Sequence, residues 1–253
     1  PITFVASANC GLYCGATVDF VDINPKTGLM DLKALSLKLE RAKAENKLPK
    51  VLVPVHLAGA SCDMKAIYLL SKKYGFAVLE DASHAVGAKY DNNPVGCCKY
   101  SDICVFSFHP VKIITTGEGG IATTNDFSLA QTMMDLRSHG IVKDASRFQL
   151  PTADSWCYEQ QTLGFNYRMT DIQAALGLSQ LSRLDEVIGE RHRLLGRYKT
   201  LLSHLPVRLL DISAEVVSSV HLAIITLDGY SSTDHAKIFN GMREAGVGVQ
   251  LHY

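Results

Sequence analysis

The sequence predicts an α/β fold built on a mainly parallel sheet. Three observations predict it. Short β-branched and apolar runs alternate with segments of helical period, at about 20 to 30 residues per unit. Apolar residues make up 47% of the 253-residue chain, enough for a substantial core. The polar residues most suited to chemistry fall at strand ends, where α/β folds bind ligands.

The chain enters on PITFVASA, a strand-like run. DLKALSLKLERAKAE places Leu32, Leu35, Leu39 and Ala42 on one helical face, with Asp31 as N-cap. VLVPVHLA, from Val51, reads as a buried strand. Asp63 caps a helix whose inner face is Ala66, Ile67, Leu70 and Tyr74, and Gly75 closes it. FAVLED, CVFSF and GGIATTN are three further strands, and DFSLAQTMMDLRS is a helix. Residues 141–164 show no period and read as a long functional loop. Thr170 caps a long helical region that Pro206 ends, although Gly177, Gly189 and Gly196 argue against one straight rod. A strand SSVHLAIITL, a helix STDHAKIFNGMREA stopped by Gly246, and a strand VGVQLHY complete the chain. The start without Met and both strand-like ends predict a fragment.

Twenty-five basic residues balance 25 acidic ones, so no basic stripe points to nucleic acid. No apolar run approaches the roughly 20 residues of a membrane helix. Seven cysteines, an odd number without a C-x-x-C pair, exclude a secreted disulfide scaffold and predict reduced, mostly buried thiols.

Phosphate-loop, dinucleotide, H-E-x-x-H and G-x-S-x-G motifs are absent. What remains is EDASHA, with Asp81 and His84, and SFHPVK, with Ser107, His109 and Lys112. Pyridoxal phosphate needs a lysine for its aldehyde, a carboxylate to keep its pyridine nitrogen protonated, hydroxyls for its phosphate and a donor for its phenolic oxygen. Lys112, Asp81, Ser107 and His84 supply these in turn, and Thr115, Thr116 and Gly117 leave room for a flat ring. Blander readings stand beside this one: a strand-end Asp as a turn residue, a solvated lysine, packed histidines at 56 and 84. Asp81 and His84 also make half a metal site, with a third ligand from His56, His109 or a cysteine at spacings matching no common pattern. No metal is expected.

EDASHAVGA, SDICVFSFHPVKIITTGEGGIATTND, LRSHGI and GFNYRMTDIQAALGLSQL together resemble the DegT–DnrJ family of pyridoxal-phosphate sugar aminotransferases. The resemblance is in order from about Pro1 to Leu181 and weakens beyond it. PVHLAGASCDM and VFSFHPVKIITTGEGG are closest to members of the pseudaminic acid pathway. The resemblance implies an aspartate-aminotransferase-like fold (fold type I): a large domain over 1–168, its amino-terminal part missing, a connecting helical region over 169–205, and part of a smaller α+β domain over 206–253. It implies a homodimer that moves an amino group from glutamate to C4 of a 4-keto-6-deoxy UDP-N-acetyl sugar, and the reduced thiols predict a cytoplasmic one. Another keto-sugar nucleotide is the alternative substrate. Lys112 matches the lysine bonded to the cofactor, Asp81 the pyridinium partner, His84 the phenolic-oxygen contact and Ser107 a phosphate ligand. Asn166 matches the residue that reaches the neighbouring subunit's phosphate, and Arg168 and His109 match nucleotide-sugar contacts. The family's phosphate cup and ring-stacking aromatic belong to an earlier segment. Relatives that dehydrate instead of aminating carry histidine at the lysine position, so Lys112 disfavours them. A non-catalytic scaffold keeping the fold, and a metal hydrolase, are the rivals from other classes.

Overall fold

In the computed structural model, residues 2–150 and 154–251 are described. In chain order the elements are α1 (Ala6–Tyr13), α2 (Leu32–Ala44), β1 (Val51–Leu52), α3 (Met64–Tyr74), β2 (Ala77–Asp81), β3 (Lys89–Tyr90), β4 (Asn93–Pro94), β5 (Ile103–Ser107), β6 (Gly120–Thr123), α4 (Phe127–Arg137), β7 (Ile141–Val142), β8 (Glu159–Gln160), α5 (Asp171–Leu181), α6 (Leu184–Leu202), β9 (Arg208–Leu209), β10 (Val216–Val217), β11 (Ile225–Thr226) and α7 (Ser232–Glu244).

The central sheet has the order β1-β2-β5-β6. β1 with β2 and β2 with β5 are parallel, and β6 returns antiparallel to β5. Parallel pairing needs a crossover, and α3 provides one between β1 and β2. α3 forms as its sequence requires: the Asp63 carboxylate accepts from Ala66 N–H, and Gly75 ends it in the left-handed region at φ 76°. Its buried face is Met64, Ile67, Ser71 and Tyr74, so the expected inner face holds at Ile67 and Tyr74, whereas Ala66 and Leu70 are only partly buried. Met64, Ile67 and Tyr74 meet Leu35 and Leu39 of α2, Leu52 and Val78 of the sheet, and Phe76 just before β2 in one core. Burying a side chain such as Ile67 contributes about 1.5–3 kcal/mol. Asp31 caps α2 through Ala34 N–H, and Asp126 caps α4 through Ser128 and Leu129 N–H.

Several segments depart from expectation. Residues 6–13 of the opening run are helical, not extended. The β-branched residues that suggested a strand stop at Val5, whose carbonyl accepts the first turn's N–H groups from Ala8 and Asn9. VLVPVHLA pairs as a strand only at Val51–Leu52. Pro54 has no N–H for the ladder, and contact resumes as Asp81 N–H to Pro54 O and His56 N–H to Asp81 O. The expected long helix is interrupted at Ser182–Arg183, not at a glycine; α6 then lays Leu184 and Val187 on Val86, Ile113 and Ile114. Gly177 instead allows close approach: a Cβ there would lie 2.8 Å from Thr116 Cγ2.

SSVHLAIITL is a strand only at β11. Ser218 to His221 are buried, as an apolar run suggests, but their N–H groups reach Gly59 O and Ala58 O, and Val220 sits at φ 51°, incompatible with a ladder. Residues 247–251 form no strand, and the last two residues of VGVQLHY lie outside the described ones. The 141–164 stretch contains the β7–β8 pair, and 151–153 within it lie outside the described residues. All seven cysteines are free; Cys62, Cys98 and Cys104 are buried, whereas Cys10 and Cys14 are exposed on and just after α1, contrary to a mostly buried set.

Candidate active site

β2 and β5 are parallel neighbours, so their carboxyl ends lie side by side. Asp81, the last residue of β2, is in register with Val105, and Ser107 ends β5 two residues further on. Alternation along β2 sends Glu80 and Asp81 to opposite faces. Glu80 enters the core, where it accepts from His56 Nε2 at 2.7 Å and from Ser101 Oγ. Burial pushes its carboxyl up; hydrogen bonds from His56 and Ser101 outweigh this and hold it below the ordinary value. His56 Nδ1 accepts from Cys62 N–H at 3.2 Å, which leaves the ring's proton on Nε2.

Asp81 faces the other way. Its Oδ2 accepts from Ser7 Oγ at 2.6 Å, and its Oδ1 from Ser83 Oγ at 2.6 Å and Ser83 N–H at 3.1 Å. Ser7 lies on α1, so the unexpected helix has a structural role at the strand end.

His84 is 5% exposed. Its Nδ1 accepts from Ala58 N–H at 3.3 Å, which requires the proton to sit on Nε2. Ala58 presents that N–H from a left-handed turn at φ 57°.

Lys112 follows β5 in a closed loop. Its N–H donates to His109 O, and Thr116 N–H and Thr115 Oγ1 both donate to Phe108 O. The next two residues, Ile113 and Ile114, are buried against Val86, which pins the lysine in place. α5 braces the loop: Gln180 Oε1 accepts from Thr115 N–H, and Gln173 Nε2 donates to Glu118 O. The Lys112 side chain is half-buried, and desolvation pushes its pKa down while the Asp81 charge pulls it back up.

The structure thus brings Asp81, His84 and Lys112 to one place, with Ser107 at the adjacent strand end. His109 is exposed, with Nε2 3.8 Å from Glu118 Oε1. Asn166 and Arg168 are exposed on another segment, which runs along the end of α4 through Phe165 N–H to Leu136 O and Tyr167 N–H to Arg137 O. Among the described residues, no three His, Cys, Asp or Glu side chains gather as metal ligands. None of their helices is long and apolar enough to cross a membrane.

Two neighbours of the site were not singled out from the sequence. Ser7 lay in a run read as a strand. His221 lay in another; its ring centroid is 4.5 Å from that of His84, and its Nδ1 is buried without a partner. Only their being polar residues inside apolar runs could have flagged either, and that does not say what they touch.

A lysine on the loop after β5 is thus half-buried and within electrostatic reach of a strand-end Asp, and the model of one aminotransferase family matches residues 1–253. The chain belongs to the DegT/DnrJ/EryC1/StrS aminotransferase family. This DegT-family chain is 38% identical over 254 residues to the UDP-4-amino-4,6-dideoxy-N-acetyl-beta-L-altrosamine transaminase of Campylobacter jejuni, with 100% of this chain and 64% of that protein covered. Among solved structures, Helicobacter pylori PseC, an aminotransferase involved in the biosynthesis of pseudoaminic acid, superposes with TM-score 0.88 at 34% identity, covering 100% of this chain and 64% of that one. Spr1654 from Streptococcus pneumoniae in its PLP form gives TM-score 0.83 at 29% identity, with 100% and 65% covered. The DegT-family chain therefore spans about 64% of the length of the curated relatives it matches.

Proposed function

We propose that the whole protein is a pyridoxal-phosphate-dependent aminotransferase that moves an amino group from glutamate to C4 of a 4-keto-6-deoxy UDP-N-acetyl sugar. The observation that carries this reading is the half-buried Lys112, whose amine has its pKa lowered by desolvation and lies within electrostatic reach of Asp81. The residues suit the cofactor. Asp81, hydrogen-bonded by Ser7 and Ser83, would keep a pyridine nitrogen protonated. His84, with its proton on Nε2, would donate to a phenolic oxygen. The Ser107 hydroxyl would take part of the phosphate. Bound there, pyridoxal phosphate supplies the electron sink that lets a Cα–H bond of the amino donor break. Lys112 would bond the aldehyde covalently, and its freed amine would move a proton at the substrate carbon, a contribution of about 10²- to 10⁴-fold.

Asn166 would reach the phosphate of the neighbouring subunit in a cytoplasmic homodimer, and Arg168 and His109 would meet the nucleotide sugar. The large domain would span 1–168, the connecting helices 169–205 and part of the small domain 206–253. The substrate assignment draws on the Campylobacter jejuni relative and on PseC, at 38% and 34% identity. An amine-transfer assay of the whole protein with glutamate and a panel of keto-sugar nucleotides tests it. Amination of the UDP-N-acetyl 4-keto sugar is expected; transfer only to other keto sugars would move the substrate, and no transfer to any would end the reading.

A further inference from the structure

The segment Ser218 to His221 is held in an unfavourable conformation by contacts from three directions. Val220 lies at φ 51°, where a β-branched residue is strained. Gly59, at φ 97°, comes so close that a Cβ would sit 2.7 Å from Ser219 Oγ and 2.9 Å from Val220 N, so only glycine fits. From α6, Arg191 Nη1 donates to Val220 O at 3.1 Å and His221 O at 3.2 Å, and His192 Nε2 donates to Ser218 O at 2.7 Å. From the site itself, Ser219 Oγ donates to His84 O at 3.0 Å. Strain that persists because its surroundings over-determine it is found where a side chain must be aimed.

The side chain aimed here is His221. Its ring lies 4.5 Å from His84, tilted by 45°, and is 8% exposed. Its Nδ1 has no hydrogen-bond partner although it is buried, a cost that simple packing would not incur, since a carbocyclic ring could fill the same space. Burial, with Lys112 and Arg191 nearby, pushes its pKa down to about 3, so it packs on His84 as a neutral ring. The titratable groups around it come from the turn after β2 (His84), the loop after β5 (Lys112) and α6 (Arg191), with Asp81 behind Lys112.

We propose that His221 is a positioning residue of the candidate active site: the strained 218–221 segment holds its ring against His84 and thereby fixes the direction of the His84 Nε2–H bond. The Ala58 N–H sets which nitrogen of His84 carries the proton; His221 sets where that proton points. This rests on the aminotransferase reading above, because the proton's target is the phenolic oxygen of pyridoxal phosphate.

The test is a double-mutant cycle in the whole protein loaded with pyridoxal phosphate. The readout is the pH midpoint of the bound cofactor's visible absorption band, with kcat alongside. His221→Ala should shift the midpoint and lower kcat by about 10²-fold, the cost of misplacing a catalytic group by about 1 Å. His221→Phe, which keeps a flat ring on His84, should restore most of both. On a His84→Ala background, His221→Ala should change nothing further, because the two act as a unit. If His221→Ala does not fold, His221→Val takes its place in the cycle. An unchanged midpoint, additive effects with His84→Ala, or a His221→Phe variant as impaired as the alanine would each overturn the proposal; the last would mean that a ring nitrogen meets a ligand directly. The aminotransferase reading fails separately, when borohydride reduction and mass spectrometry leave wild-type Lys112 without a pyridoxyl group, and it then takes this inference with it.

Discussion

Lys112 owes its setting to what surrounds it. Two buried isoleucines follow it, so its side chain emerges from an anchored loop, and desolvation lowers the pKa of its amine. Replacing it with alanine should leave the fold intact and reduce turnover of the whole protein by more than the 10²–10⁴-fold or so of acid–base chemistry alone, because the covalent anchor is lost too. Steady-state assay and tryptic mapping after borohydride reduction check this; wild-type turnover in the variant would contradict it. Asp81→Asn should retain ring binding and lose most activity. His221 makes a second residue-level prediction. Its folded pKa, about 3, lies below its ordinary value of 6.5, so an unfolded chain binds its proton more readily. The stability this group contributes is present above pH 6.5 and is lost as the pH falls from about 6.5 toward about 3. Urea unfolding at a series of pH values should therefore show the gap between wild type and His221→Phe move against wild type through that window. A gap independent of pH would contradict it.

Among the elements, β2 shows how alternation separates two tasks. Asp81 faces the candidate site, while its neighbour Glu80 is sealed in the core with His56 and Ser101. Removing one partner of a buried pair typically costs about 3–5 kcal/mol. His56→Ala should destabilise by that order, measured by urea denaturation, and should do so without changing the catalytic role assigned to Asp81. The 57–59 turn does for the carboxyl-terminal segment what β2 does for Asp81. Gly59→Ala would drive a methyl group into Ser219 and the Val220 backbone, and strained or overpacked substitutions of this kind cost about 1–3 kcal/mol. A lowered melting temperature with a disturbed His84 is expected; a neutral substitution would show that the 218–221 segment is not held there.

At the scale of the molecule, large apolar side chains lie exposed along α4, the 154–169 segment and α5: Phe127, Trp156, Leu163, Tyr167 and Ile172 among them, the last at 85%. Exposed apolar side chains of this size make these elements a candidate interaction face. With Asn166 in its midst, the homodimer reading predicts complementation. Mixed dimers of Lys112→Ala and Asn166→Ala protomers of the whole protein should recover activity, since one site in each mixed dimer keeps both residues. Light scattering should give twice the chain mass. No recovery in the mixture would place Asn166 in its own subunit's site.

The caps of α2, α3 and α5, the Ile67 and Tyr74 half of the core face of α3 and the strand-end positions of Asp81, Ser107 and Lys112 were legible in the sequence alone. They depend on residues a few positions apart: a carboxylate or hydroxyl within reach of the next turn's N–H groups, or apolar side chains at helical or strand spacing. The family resemblance, too, is carried by short continuous strings. What only the tertiary structure decided depends on residues far apart in the chain. α1 lies where Ser7 meets Asp81, 74 positions on; the helix breaks at Ser182–Arg183 where Leu184 meets the isoleucines after Lys112; and the strand-like run around His221 gives up its ladder because Gly59 and Arg191 hold Val220 left-handed. Local propensity cannot report such contacts, because each is a competition between the backbone's own preference and a partner that folding alone brings within reach.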